Sequence, residues 1–210
     1  MKITKFGHSC LFIEQGEARI LIDPGAWSEG HTSLTNLDAI FVTHEHQDHC
    51  DIASLQTLKE QNSNATVLTN SDVGKKLSEA GIEFEVFEGG STHDIHGLHV
   101  EAVGRDHAII YGKPPCQNTG YIFGGRLYHP GDSFHLPNRP VEVLALPVCA
   151  PWLKTSEVID FAIAIQPKTV FPIHDGMLKH VGAFHKRPQM MLEEREVQWQ
   201  VLEPGVPTDF

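Results

Sequence analysis

The chain has no apolar run long enough to cross a membrane. Its longest, such as Ala39 to Val42 and Phe161 to Ile165, fall far short of the roughly 20 residues that a spanning helix needs. Its four cysteines, Cys10, Cys50, Cys116 and Cys149, lie far apart with no C-x-x-C pair, so neither a disulfide framework nor a zinc ribbon is indicated. Free thiols in a reducing compartment are the expectation. Basic residues are scarce: 16 Lys plus Arg stand against 27 Asp plus Glu, a formal charge of −11, which removes the broad basic surface that grips a polyanion. Nucleic acid is therefore not the expected partner. Met1 to Cys10 contain Lys2, Lys5 and His8 but no apolar centre of a signal peptide. No repeat, low-complexity segment or linker breaks the 210 residues, a length that suits one domain over 1–210. A soluble, cytoplasmic protein acting on a small molecule is expected, with a homo-oligomer left open.

What is present is a succession of short β-type runs. Lys2 to Phe6, Cys10 to Glu14 and Arg19 to Asp23 open the chain, with Gln15-Gly16-Glu17 as a hairpin turn. Ala39 to Thr43 reads as a strand covered on both faces whose end opens onto a site. Ile52, Leu55 and Leu58 then recur at helical spacing, as do Val73, Leu77 and Ala80, with Ser71 or Asp72 near the second helix's start and Gly81 past its end. Further strands are predicted at Thr66 to Thr69, Phe84 to Phe87, Leu98 to Val103, Gly120 to Phe123 and Val141 to Leu146. A third helix carries Val158, Ile159, Ala162 and Ile165 on one face and stops at Pro167. The strand Thr169 to Ile173 runs into His174, and the tail from Met177 to Phe210 supplies one more helix and one more strand. Sheets packed face to face with helices outside fit this order.

Histidine is abundant, at 14 residues, and the excess matters because of where it clusters. Thr43-His44-Glu45-His46-Gln47-Asp48-His49 follows the apolar strand directly and places four ligand-type side chains, His44, His46, Asp48 and His49, within six residues. A tight turn there points alternate side chains into one cavity, and the start of the next helix adds Asp48 and His49 from another angle. Such a set suits two metal ions better than one. A lone histidine in a strand-end loop would be read as a hydrogen-bonded surface residue. A solvated His-rich turn does not explain why three more ligand-type residues recur at strand ends downstream.

The pattern T-H-x-H-x-D-H resembles the defining motif of the metallo-β-lactamase superfamily. The rest of that family's pattern finds matches in order: His107 in Arg105-Asp106-His107, Asp132 in Gly131-Asp132-Ser133, and His174 in Pro172-Ile173-His174-Asp175-Gly176. The resemblance runs from about Gly7 to Gly176. Within the family, Gly7-His8-Ser9-Cys10, Asp23-Pro24 and Ala150-Pro151-Trp152-Leu153 are similar to the branch of small metal-dependent hydrolases that includes ascorbate-6-phosphate lactonase. The resemblance implies an α+β fold, a four-layer αββα sandwich of two mixed β-sheets flanked by helices. It also implies that His44, His46 and His107 hold one metal, that Asp48, His49 and His174 hold the other, and that Asp132 bridges them. Asp23 matches an early aspartate that orders the ligand loop from behind.

That ligand set, imidazole and carboxylate without thiolate, suits zinc first, with manganese or iron as alternatives. Two divalent ions about 3.5 to 4 Å apart share a hydroxide and lower the pKa of bound water towards about 7, so no protein nucleophile is needed. Asp48 would then be both ligand and catalytic group, orienting the hydroxide and passing a proton to the leaving group. The implied activity is hydrolysis of a small ester, lactone or phosphorylated metabolite. Three rivals stand beside it. A phosphodiesterase or nuclease of the same superfamily fits poorly with the acidic composition. A diiron redox protein of that superfamily resembles a pattern with Glu where this chain has His46. A metal-binding scaffold or regulator would keep the ligands and lose turnover.

Other residues carry weaker expectations. His8 is either a pocket residue or a hydrogen-bonded strand end, and Ser133 and Trp152 are candidates for the pocket or for contact behind the ligands. His129 belongs behind the site or in the core. His93, His96 and His99 read as exposed, and His180 and His185 as the surface of the C-terminal helix. His31 and His135 sit in loops that border the pocket. Trp27, Tyr111 and the stretch Lys113 to Asn118 are candidates for a substrate wall.

Overall fold

The computed structural model describes residues 1–210. Seven strands form the first sheet: β1 (Lys2–Lys5), β2 (Leu11–Gln15), β3 (Ala18–Ile22), β4 (Ala39–Val42), β5 (Thr66–Thr69), β6 (Glu85–Val86) and, from the far end of the chain, β14 (Thr208–Asp209). The second sheet comprises β7 (Thr92–Ile95), β8 (Leu98–Val103), β9 (Gly120–Phe123), β10 (Leu127–His129), β11 (Val143–Pro147), β12 (Thr169–Ile173) and β13 (Gln198–Trp199). Their orders are β14-β1-β2-β3-β4-β5-β6 and β13-β12-β11-β10-β9-β8-β7. Four helices complete the chain: α1 (Ile52–Gln61), α2 (Ser71–Glu79), α3 (Thr155–Ile165) and α4 (Gly182–Glu193). None of them is long and apolar enough to cross a membrane.

Side-chain alternation along the strands sorts the apolar residues into three layers of core. Leu11, Ile13, Ile20, Ile22 and Phe41 of the first sheet meet Tyr121, Phe123, Ala145 and Phe171 of the second between the sheets. The residues between them in sequence face outward: Phe12, Leu21, Ile40 and Val42 pack on Leu55, Leu58, Val73 and Leu77 of α1 and α2. Ile122, Leu144, Leu146 and Val170 likewise pack on Val158, Phe161 and Leu192 of α3 and α4. Strands buried on both faces need apolar residues at every position, which is why β4 and β11 read as continuous runs. Three interlayer cores require four layers, the αββα sandwich expected.

Both sheets use the same pairing sequence. From one edge each runs through three antiparallel pairs and then three parallel ones. The carboxyl ends of parallel strands are where open sheets leave a crevice. Here β3 and β4 in one sheet and β10, β11 and β12 in the other end at the same rim, which brings the segments after them together. The Phe41 ring, 5.0 Å from Tyr121 and 5.4 Å from Phe123, fixes β4 across the interface. Tyr121 also donates its hydroxyl to the Val42 carbonyl at 3.0 Å, pinning the last residue before the histidine turn.

Several expectations are refined. The turn at Gly16-Glu17 lies where it was placed, between the paired Gln15 and Ala18. Helix α2 is capped by Asn70 rather than by Ser71 or Asp72, because the Asn70 side chain accepts from the Val73 amide at 3.1 Å. The strand expected at Phe84 to Phe87 shrinks to the two residues of β6. The His93–His99 region is a hairpin that the sequence reading missed, turning at His96 and Gly97, both at positive φ. His96 and His99 are exposed, as expected, whereas His93 is half-buried. His185 corrects another expectation. It is buried beneath α4, its Nε2 3.1 Å from Asp175, while the exposed His180 precedes the helix.

Candidate metal centre

Asp23 follows β3 directly and organises the turn that follows β4. It is fully buried at φ 51°, a left-handed conformation that aspartate tolerates better than most residues. Its Oδ1 accepts from the Thr43 amide at 2.8 Å, and its Oδ2 accepts from the Thr43 hydroxyl at 2.9 Å and from His49 Nδ1 at 2.7 Å. Gly25 lets the Asp23-Pro24-Gly25 bend press on the same turn. A Cβ there would fall 1.7 Å from the Asp48 carbonyl oxygen, and the neighbouring Ala26 amide donates to the Gln47 carbonyl at 2.9 Å.

On the other sheet, Gly131 sits at φ 63° with its Cα against Asn118, whose Oδ1 would lie 2.3 Å from any Cβ added there. Asn118 accepts from the Asp132 amide at 2.9 Å and donates to the Pro130 carbonyl at 2.8 Å, so it holds the Pro130-Gly131-Asp132 bend. His174 follows β12 at φ 60°, its amide bonded to the His8 carbonyl at 2.8 Å. Uncommon backbone states of this kind persist where surrounding structure over-determines them, which is frequent at functional sites.

These bends bring all seven candidate residues together. Ligand-type atoms of His44, His46, His107 and Asp132 lie within 4.8 Å of one another, and so do those of His8, Asp48, His49 and His174. Asp132 stands between the groups, with Oδ1 3.2 Å from His49 Nε2 and Oδ2 3.0 Å from His174 Nε2 and 3.5 Å from His107 Nε2.

The hydrogen-bond network assigns the ring tautomers. His49 Nδ1 donates to Asp23, and His107 and His174 donate Nδ1–H to the carbonyls of Ala108 and Cys149. Thr43 gives its hydroxyl hydrogen to Asp23, so at 3.0 Å it accepts from His44 Nδ1. In its neutral form each of the four rings therefore aims the lone pair of Nε2 into the site, the arrangement that metal-ligating histidines adopt. The four Nε2 atoms and Asp132 Oδ1 are buried without a protein partner. Buried polar atoms are costly when left without a partner, so these call for a bound group. The donor set fits divalent cations.

His8 is the opposite case. Its Nδ1 accepts from the Gly176 amide at 3.2 Å, which leaves the hydrogen on Nε2, 3.2 Å from Asp48 Oδ2. The ring thus turns an N–H rather than a lone pair towards Asp48, in close contact but out of line for a hydrogen bond. Burial brings its pKa down to about 4, keeping it neutral. Burial alone would raise the Asp48 carboxyl, but the contact with His8 and the nearby His49 outweigh it and bring it down to about 2.

A model of the Beta-lactamase superfamily domain matches residues 2–174 of this chain. The chain belongs to that superfamily. Among its relatives is Protein Rv0786c of Mycobacterium tuberculosis, 40% identical over 184 residues that cover 85% of each chain. A UPF0173 metal-dependent hydrolase of Alkaliphilus metalliredigens is 29% identical over 192 residues, covering 83% of this chain and 85% of the other. The structure of a metallo hydrolase from the archaeon Ignicoccus hospitalis superposes with a TM-score of 0.76 over 100% of this chain and 98% of that one, at 23% identity.

Within this metallo-β-lactamase fold the remaining candidates take distinct places. Trp152 donates its indole N–H to Asp132 Oδ2 at 2.9 Å, so it orients the central carboxylate. Ser133 is buried, and its hydroxyl accepts from the His135 amide at 3.2 Å, steadying the turn after Asp132. His129 is a core residue, bonded to the Ser9 carbonyl and the Gly131 amide. His31 is buried in its own short helix, and His135 borders a separate cavity beside Gly104 and Arg139. Trp27 lies edge-on to His8 with ring centres 4.9 Å apart. Asn118, expected as part of a substrate wall, instead braces the bend at Asp132, and the buried Lys5–Asp175 ion pair, which holds the residue after His174, was not singled out in the sequence.

Proposed function

We propose that the protein is a metal-dependent hydrolase in which His44, His46, His107 and Asp132 hold one divalent transition-metal ion, and Asp48, His49, His174 and Asp132 hold a second. The observation that carries this reading is the convergence of buried, unpartnered imidazole lone pairs on either side of one carboxylate. Zinc suits the donors best, with manganese or iron next. When bound, such a pair supplies Lewis acidity and an activated water near neutral pH.

The chain's own groups do the rest. Asp48, faced by the His8 N–H, would orient the attacking water and pass a proton to the leaving group. Trp152 and Asn118 keep Asp132 in one orientation from its carboxylate and amide sides. A cavity of about 220 Å³ beside His46 and His107 admits a small molecule, in keeping with a small ester, lactone or phosphorylated metabolite as substrate.

The test is turnover of a panel of esters, lactones and phosphodiesters, followed together with metal content from pH 8 to pH 5. Burial lowers the pKa of His44 well below its ordinary value and lowers that of His46, so both bind protons more weakly folded than unfolded, as does His8 at about 4. The stability they contribute is complete above the unfolded pKa of about 6.5 and is lost progressively as pH falls from there towards 4. His49 runs the other way, since Asp132 and Asp23 outweigh its burial and hold its proton. That proton competes with a metal for the ring. The expected result is turnover of at least one substrate class at pH 7.5 to 8, abolished by chelation, with activity and metal falling together below about pH 6.5. A protein that carries two metals and hydrolyses nothing on the panel contradicts the hydrolase reading in favour of a scaffold.

A further inference from the structure

Residues 107–116 form a loop that leaves the site at His107 and returns at Cys116, closed at its base by the His107 amide on the Cys116 carbonyl at 3.1 Å. The Ala108 amide ties it to the Asp132 carbonyl at 2.9 Å, and the Lys113 amide closes its tip on the Ile110 carbonyl at 3.0 Å. A loop anchored to two site residues is positioned by the site's own geometry. Its side chains are unusually apolar for an exposed connection: Ile109 is 89% exposed and Tyr111 fully so. Scattered exposed apolar residues are ordinary, but apolar side chains gathered at the mouth of a cleft mark a binding surface.

The cavity of about 220 Å³ runs under this loop. His46 and His107 form its floor, and Ala108, Ile110, Pro114 and Pro115 its wall. Lys113 is the one charged side chain on the lining, so no carboxylate opposes an acyl group or its acid product. The more polar cavity of about 420 Å³ beside Arg139 includes none of the seven candidate residues.

We infer that the cleft under the 107–116 loop is a subsite for an alkyl or acyl chain, so that the substrate is a small ester or lactone whose reacting group lies at His46 and His107 and whose apolar chain lies along Ala108, Ile110, Pro114 and Pro115. The chain subsite deepens the hydrolase reading and rests on it for the reacting group alone. Desolvation of the chain against this wall supplies binding energy remote from the reacting bond, which raises turnover of chain-bearing substrates over truncated ones.

Calorimetric titration of the metal-loaded protein with acetate, butanoate, hexanoate and octanoate at fixed ionic strength tests this without requiring turnover. Kd is expected to fall by about fourfold for each methylene buried, to level off once the cleft is filled, and to show a heat-capacity change that becomes more negative with chain length. Ile110→Asp is expected to weaken octanoate by at least about tenfold, and the milder Ile110→Ala to reduce the gradient. Val86→Asp, at an exposed apolar position on β6, leaves the series unchanged. Metal content is measured for each variant. A flat series, no binding of octanoate, or a gradient that both Ile110 variants leave intact overturns the inference. A rising series in a protein that turns over no ester or lactone leaves the chain subsite standing and removes the hydrolase reading instead.

Discussion

Asp48→Asn, saturated with metal, is expected to lose at least about 10²-fold in kcat, the low end of what a positioned acid or base contributes. Asparagine keeps the size and one oxygen donor but carries no charge and cannot hold a transferable proton. Asp48 is half-buried, its Oδ2 lying 3.2 Å from His8 Nε2, 3.6 Å from His174 Nε2 and 3.9 Å from His49 Nε2. The contact with His8 and the nearby His49 favour the anion, which is why the carboxyl is brought down to about 2 despite burial. His46→Ala offers the contrast. The His46 ring packs against those of His44 and His107, so its loss should lower metal content and activity in parallel, with excess metal recovering part of both. Measuring kcat beside metal stoichiometry separates the two cases. An Asp48→Asn enzyme with two metals and wild-type kcat would take Asp48 out of the chemistry.

Asp23→Ala is expected to cost about 3 to 5 kcal/mol of stability, the range for breaking a buried charged pair, and to lower Tm on the order of 10 °C. Three donors, the Thr43 amide, the Thr43 hydroxyl and His49 Nδ1, converge on this one fully buried carboxylate. Alanine leaves all three unpaired, and it also adopts φ near 51° less readily than aspartate. Because His49 would lose the partner that fixes its tautomer and His44 would lose the Thr43 bond behind it, metal affinity should fall by about 10- to 100-fold. Asp23→Asn, which tolerates the same backbone state, controls for the conformational part. It should recover some stability while leaving metal affinity low, since an amide cannot accept from all three donors. Thermal melts with and without added metal read both quantities. A variant that melts and binds metal like the wild type would mean that Asp23 does not organise the turn.

The reach of sequence reading was set by how local each signal is. Thr43 to His49 packs chemically rare side chains into one turn, and His107, Asp132 and His174 follow in order at the ends of apolar strands, so the constellation could be read before any geometry was known. The helices were legible through their spacing and the buried strands through continuous apolar runs. What stayed hidden depends on contacts distant in sequence. Strand β10 is a three-residue Leu-Tyr-His run before Pro-Gly, too short to show a period, and the shared pairing order of the two sheets leaves no repeat in residue identity. His185 reads as a helix-surface residue until Asp175, ten residues earlier, is seen to fold beneath it. The role of His8 turns on a single amide, Gly176, on the far side of the chain. Trp152 looked like a wall, and only the fold shows its N–H on Asp132.

The central claim is that two metal ions sit on either side of Asp132, and anomalous diffraction tests it most directly. With data collected above and below the zinc, manganese and iron edges from crystals of the protein as purified, the account predicts two anomalous peaks per chain. One lies among His44, His46, His107 and Asp132, and the other among Asp48, His49, His174 and Asp132, with His8 beside Asp48 and not on metal. No peak after soaking in zinc or manganese, or a single peak ligated by His8, would contradict it.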